Sequence, residues 1–169
     1  ESGVSPWLPP GTPGQLVRVM GSEHDESGLP TEDAADRVRM HDKRWRKWSG
    51  MREAFGSVES AGAGDERDVV VCFGSTRGAV FEAVGRLRDE GREVGALHLP
   101  EVWPFPREAV MARLARARRV VTVEQNSTGQ LARLLCRETR ARAGATVLKD
   151  DGRPFGGEQL AGLLRGELK

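Results

Sequence analysis

"DVVVCFGSTRGAVFEAV" (residues 68–84) decides the fold. Val69 to Phe73 form an apolar run that is too short for a buried helix and rich in β-branched residues, so it reads as a buried strand. Gly74, Ser75 and Thr76 then break the run. After them Ala79, Val80, Ala83, Val84 and Leu87 recur at spacings of three and four, the period of a helix with one apolar face. The same unit returns at "RVVTVEQNSTGQLARLL" (119–135), with the polar string Glu124-Gln125-Asn126 at the strand's end.

Working outward, apolar strands are expected at about 69–73, 94–99, 119–123 and 145–148. Helices should follow each of them, through Val110/Met111/Leu114, Leu131/Leu134/Leu135 and Leu160/Leu163/Leu164/Leu168. Gly91 and Gly144 sit where two of these helices should stop. Strands of nearly continuous valine joined through helices predict a parallel sheet covered on both faces. The fold expected is α/β, a three-layer α/β/α sandwich on a mostly parallel five-stranded sheet.

The N-terminal third is different in kind. Pro6, Pro9, Pro10, Gly11, Pro13 and Gly14 forbid helix and central strand, so residues 1–15 read as an arm and 16–169 as the folded domain. Leu16 to Met20 is a short apolar run, the candidate for an additional strand. A helix is expected from Asp33, with Ala34, Val38, Trp45, Trp48 and Phe55 on one stripe. Basic residues fill the rest of its surface, and "ESAGAGDERD" (59–68) ends it.

Composition excludes several classes. The formal charge is +1, which indicates neither a generic nucleic-acid binder nor an acidic tail. Cys72 and Cys136 lie far apart within apolar elements, outside any CxxC or Cys/His cluster, and read as buried thiols rather than metal ligands. No run approaches the ~18 apolar residues of a membrane span, and "ESGVSPWLPP" lacks a charged-then-apolar signal. The chain reads as cytoplasmic. Its start, without Met and on a Pro-rich segment, reads as part of something longer.

The turns after the strands of a parallel sheet emerge together at its carboxyl edge, where helix N-termini present unpaired N–H groups. "GSTRG" and "EQNSTG" therefore belong to one edge. Ser75 or Thr76 and Asn126 or Ser127 are good helix caps, which is one reading; a site for an anion or polar ligand is the other. "GSTRG" is neither a Walker loop nor GxGxxG. A buried Glu124 needs partners. It should be ion-paired, hydrogen-bonded or exposed to a ligand or a neighbouring subunit, and Arg77 is a candidate partner if the two strands are neighbours. The candidate crevice consists of Gly74, Ser75, Thr76, Glu124, Gln125, Asn126 and Gly129. No catalytic residue and no metal ligand is assigned.

Two further stretches carry chemistry-bearing residues. Glu23, His24, Asp25 and Glu26 read as a solvated loop, since neither His41 nor His98 has ligand spacing to them. "RVRMHDKRWRKW" (37–48) interleaves cations with Trp45 and Trp48, as single-strand nucleic-acid binders do. Both Trp lie on the apolar stripe, however, so core packing with a charged outer face is expected.

Taken in order, "GVSPWLPPGTPG", "GSEHDESGLPTED", "RMHDKRWRKW", "FGSTRGAVFEAVGRLRDEG", "LHLPEVWPFP", "VVTVEQNSTGQLARLLCRE" and "LKDDGRPF" resemble the C-terminal half of the alpha subunit of 2-oxoacid:acceptor (ferredoxin or flavodoxin) oxidoreductases. The resemblance runs over nearly the whole chain. It implies a transketolase C-terminal-like domain whose sheet carries one antiparallel edge strand, for which 16–20 is the candidate. It further implies an enzyme complex that decarboxylates a 2-oxoacid on thiamine diphosphate with magnesium, passes electrons through iron–sulfur clusters and forms an acyl-CoA.

This stretch carries no GDG…N magnesium motif and no cluster cysteines. The resemblance therefore implies a non-catalytic supporting and assembly domain, inactive alone and binding none of these cofactors by itself. Its partners would be the beta subunit and the remainder of the alpha subunit, in an oligomer without nucleic acid or membrane. The crevice would position CoA or contact a neighbouring subunit. The alternatives are the equivalent domain of another thiamine enzyme, a transketolase or a dehydrogenase beta chain, and a stand-alone nucleotide- or nucleic-acid-binding module.

Overall fold

The structure is a computed structural model describing residues 2–18 and 20–168. By its contacts the chain divides after Ala54 into two compact units. That boundary lies downstream of the 15/16 division expected from proline and glycine content.

In the N-terminal unit, helix α1 spans Ala34–Ala54. Asp33 caps it: its Oδ1 accepts from the Ala35 and Asp36 N–H groups at 2.8 and 3.0 Å. Glu23, from the preceding loop, accepts from Arg37 at 2.9 Å and from Arg44 at 3.0 Å, which ties the loop to one side of the helix. Another side carries the arm. Gly3 has φ +78 and lies so close to the α1 backbone that a Cβ would come 2.3 Å from the Lys43 carbonyl. Met40 is the buried residue of α1, whereas Trp45 and Val38 are each 60% exposed. The expectation of tryptophans packed in a core is thus corrected for Trp45. Trp45 is five residues on from Met40, about 140° around a helix that turns ~100° per residue, and so falls outside the side that Met40 buries.

The second unit begins at Phe55 and holds the sheet. Its strands are β1 (Glu59–Ala61), β2 (Asp68–Phe73), β3 (Val94–Leu99), β4 (Arg119–Glu124) and β5 (Ala145–Leu148), in the order β1-β3-β2-β4-β5. All neighbours are parallel except β1, which runs antiparallel to β3. Alternation along β2 sends Val70 and Cys72 to one face and Val69 and Val71 to the other. Helices α2 (Arg77–Asp89) and α5 (Gly157–Glu167) cover the first face through Val80, Val84, Leu87, Leu160 and Leu164. Helices α3 (Arg107–Leu114) and α4 (Gln130–Thr139) cover the second through Val110, Leu131 and Leu135. The three-layer α/β/α sandwich follows.

Two expectations are corrected. The antiparallel edge strand is β1, not 16–20: Leu16 is 81% exposed, the described residues around it form no strand, and Val19 lies outside the described residues. Edge strand β1 pairs on one side only and is held by backbone register, Ser60 opposite Leu97, so it needs no apolar alternation. The other correction concerns helix ends. Gly91 stops α2 with φ +82, as expected. Helix α4 ends earlier than Gly144, with Arg140 in the left-handed region at φ 63 and its N–H donating to Cys136 O at 2.9 Å.

Candidate functional site

Strands β2 and β4 lie side by side, yet the helices that follow them go to opposite faces. Their carboxyl ends therefore flank the topological switch point of the sheet, where open α/β folds bind ligands. The two turns at this point are "FGSTR" after β2 and "EQNSTG" after β4. Ser75 Oγ donates to Gln125 Oε1 at 3.1 Å and so joins the two turns, and Gln125 Nε2 donates to the Arg153 carbonyl at 3.1 Å.

The turn after β4 is closed from within. Gly129, at φ 65, starts α4 without a capping side chain of its own. Glu124 reaches the helix from the end of the strand: Oε2 accepts from Leu131 N at 2.7 Å and from Asn126 Nδ2 at 2.8 Å, and Oε1 accepts from Ala132 N at 3.0 Å. Asn126 Oδ1 accepts from the N–H groups of Thr128 and Gly129 at 3.0 and 2.8 Å. Glu124 is 0% exposed. A carboxylate buried this far is tolerated because three N–H groups donate to it and the helix dipole favours negative charge at that end. Arg77 is not its partner; it pairs with Glu59 and stacks over Phe81 at 4.6 Å.

The turn after β2 is built otherwise. Gly74–Thr76 make one 3₁₀ turn with Gly74 at φ 56, and neither this turn nor α2 receives a side-chain cap. Thr76 Oγ1 donates to Phe73 O at 2.6 Å, which turns the hydroxyl inward. Gly74 and Ser75 stay exposed. Beneath them, burial pushes the Cys72 thiol up to about 12, against the hydrogen bond to Thr76 and the charge of Arg77, so it stays protonated and unreactive. His98 lies beside the turn on β3, its Nε2 3.3 Å from Gly74 O.

Of the seven candidates, then, Ser75 and Gln125 meet and face outward with Gly74, Asn126 is half-buried, and Thr76, Glu124 and Gly129 are buried. The loop carboxylates 23–26 serve structure: Asp25 Oδ1 accepts from Ser27 N at 2.9 Å and Leu29 N at 3.0 Å. Among the described residues no three His, Cys, Asp or Glu groups gather as a metal site. A cavity of about 300 Å³ at the amino edge is lined by Arg67, Asp68, Arg92, Glu93, Arg118 and Arg119. There Arg92 and Arg119 are engaged by the last carbonyls of α5, donating to Leu168 O at 2.7 Å and Glu167 O at 2.8 Å.

Sequence reasoning missed one charged cluster. Glu66, in the loop before β2, is buried between Arg88 of α2 and Arg113 of α3, each 2.7 Å away. Burial raises its pKa, but hydrogen bonds from the Ala63 and Gly64 N–H groups and the charge of Arg113 more than offset this and leave it below the ordinary carboxylate range. "DERD" looks like any solvated loop; its one local signal is Gly95, where a Cβ would meet Arg113 at 2.2 Å.

Residues 67–160 match the family described as pyruvate:ferredoxin oxidoreductase core domain II. The chain belongs to this family. Over 98% of its length it is 35% identical to the alpha subunit of 2-oxoacid:ferredoxin oxidoreductase 2 of Aeropyrum pernix, and over 100% it is 30% identical to the corresponding subunit of Saccharolobus solfataricus. In both cases the match takes in 26% of the relative, so the chain spans about a quarter of their length. Among solved structures it is similar to the 2-oxoglutarate:ferredoxin oxidoreductase of Magnetococcus marinus, a structure with 2-oxoglutarate, coenzyme A and succinyl-CoA bound. That match has a TM-score of 0.74 and 31% identity, over 100% of this chain and 30% of that one. A split-gene transketolase, at TM-score 0.52 and 19% identity over 68% of this chain and 42% of its own, shares the fold. The core domain II sheet thus carries the transketolase C-terminal-like topology expected above, and the transketolase and free-standing alternatives are not favoured. No helix among the described residues is long and apolar enough to cross a membrane.

Proposed function

We propose that this core domain II chain is the supporting and assembly domain of the alpha subunit of a cytoplasmic, thiamine-diphosphate-dependent 2-oxoacid:ferredoxin oxidoreductase. The full complex would convert a 2-oxoacid, CoA and oxidised acceptor into acyl-CoA, carbon dioxide and reduced acceptor. The beta subunit and the remainder of the alpha subunit would be its partners. The observation that carries this reading is the chemistry left facing outward at the switch point. Glu124, the crevice's one carboxylate, is consumed by the start of α4. Ser75 and Gln125 remain, neutral groups that position by hydrogen bonding and do not exchange protons at neutral pH. The donor set likewise does not fit an iron–sulfur cluster: Cys72 is buried on the α2 face and Cys136 sits on α4 at the other.

On this reading Gly74, Ser75, Gln125 and the neighbouring backbone contact CoA or an adjoining subunit. In the complete enzyme, Ser75→Ala together with Gln125→Ala should raise the CoA Michaelis constant or loosen subunit association while decarboxylation without CoA is spared. Loss of decarboxylation with assembly and CoA affinity intact would move the crevice into the catalytic site. The arm supports the assembly role as well. Trp7 is 77% exposed and Leu8 39%, and a Pro-rich arm holds such a side chain best against a partner. Unchanged sedimentation of the Trp7→Ala complex would remove the arm from the interface.

A further inference from the structure

His98 stands near the end of β3 with its side chain 7% exposed. The strand register sets it between Glu59 of β1 and Cys72 of β2. Two oxygens meet its ring. Nε2 lies 3.3 Å from Gly74 O, and a carbonyl oxygen only accepts, so Nε2 must carry a proton to bond it. Nδ1 is buried without a hydrogen bond and stands 3.3 Å from Glu59 Oε2. A neutral imidazole has a single N–H and a lone pair. It therefore serves one of the two oxygens and turns a lone pair towards the other, and the charged carboxylate is the stronger acceptor. The imidazolium donates to both.

Arg77, at the start of α2, also donates to Glu59 Oε2, and its charge opposes the imidazolium while the carboxylate favours it. The side chains of Arg77 and Glu59 are about half exposed, so water screens both charges, whereas the ring is closed off from it. From β2, Cys72 faces the ring as a protonated thiol, and from α2 the Phe81 ring meets it at 67°, centroids 6.5 Å apart. His98 forms no other ion pair among the described residues. Gly74 O also accepts from Arg77 N, the bond that closes the 3₁₀ turn, and Gly74 holds φ 56, a conformation glycine adopts readily. The Gly74 carbonyl is thus the joint between the buried ring and the exposed turn.

We infer that His98 is a positioning residue for the turn after β2: its Nε2–H holds the Gly74 carbonyl while both ring nitrogens are protonated, and loss of one proton releases it, so that the surface of Ser75 and Gln125 responds to pH. The inference rests on the reading above that this surface contacts CoA or an adjoining subunit, and adds its control. The test uses the assembled oxidoreductase between about pH 5.5 and 8, the window in which histidine titrates. Hydrogen exchange of the Arg77 amide, corrected for intrinsic exchange, should accelerate about tenfold as pH rises, because the tether is present below the histidine range and lost above it. His98→Gln, whose amide donates without titrating, should hold exchange slow at every pH; His98→Leu should leave it fast at every pH. The CoA Michaelis constant or the subunit affinity should follow the same step in the parent and lose it in His98→Gln. Exchange in the parent that ignores pH, or a step that persists in His98→Gln, overturns the inference. An exchange step with CoA binding and association both unmoved upholds the positioning role of His98 and defeats the contact reading instead.

Discussion

The two turns at the switch point follow neighbouring strands of one sheet and lead into helices of similar length, yet they resolve the same problem in opposite ways. Each helix begins with backbone N–H groups that have no partner within the helix. At α4 the protein fills that place with its own Glu124 and Asn126. At α2 it leaves the place without a side-chain cap, with Gly74 and Ser75 exposed. The difference teaches that a run of polar residues after a strand is not by itself a site. The more polar turn, "EQNSTG", is the more structural one, and the plainer "GSTRG" keeps its backbone available.

The contrast breaks most readily at Glu124. Replacing it by Ala leaves the Leu131 and Ala132 N–H groups and the Asn126 amide without a partner in a buried place, and should destabilise the chain by about 3 kcal/mol in urea unfolding. A loss below about 0.5 kcal/mol would mean that the turn is not closed by this carboxylate. Asn126→Ala should cost about 1 to 2 kcal/mol, the range of a lost cap. Because Asn126 and Glu124 share a hydrogen bond, the double variant should lose less than the sum of the two. Ser75→Ala, on the open side, should change stability by no more than about 0.5 kcal/mol, since its hydrogen bond is exposed. A larger loss there would erase the distinction between the turns.

The smallest effect expected is electrostatic. Arg77, the first residue of α2, holds Glu59 of β1 below the ordinary carboxylate range through its side-chain hydrogen bond; desolvation opposes this, while the charges of Arg77 and His98 add to it. A depressed carboxylate contributes stability above its unfolded pKa and loses it as pH falls through the folded one. Hydrogen exchange of the β1 amides should therefore accelerate as pH falls below the ordinary glutamate range. Glu59→Gln should abolish this acceleration, and its persistence would show that β1 is held independently of the turn after β2.

Much of this was legible in the residues. The four parallel strands stand where apolar runs predict them, because the central strands β2, β3 and β4 are buried on both faces and so are apolar at most positions. The seven candidate residues stand at the carboxyl ends of two neighbouring strands, because parallel strands bring their ends to one edge, although Thr76, Glu124 and Gly129 are buried there. Illegible were β1, held by backbone pairing that leaves no side-chain pattern, and the partner of Glu124, which proved to be backbone rather than Arg77. Backbone N–H groups are present at every residue except proline and so cannot be read from letters.

By itself, then, the sequence determined the layers, the order of strands and helices from residue 68 onward, and the edge at which polar turns gather, all consequences of period and of short-range steric preference. Tertiary structure alone decided which polar groups were spent and which were left over. Glu124 is closed off by α4 and Glu66 by Arg88 and Arg113, while Trp45 is left 60% exposed. Whether a charge or a ring is satisfied depends on what the fold brings within about 3 to 4 Å of it, and those neighbours come from anywhere in the chain.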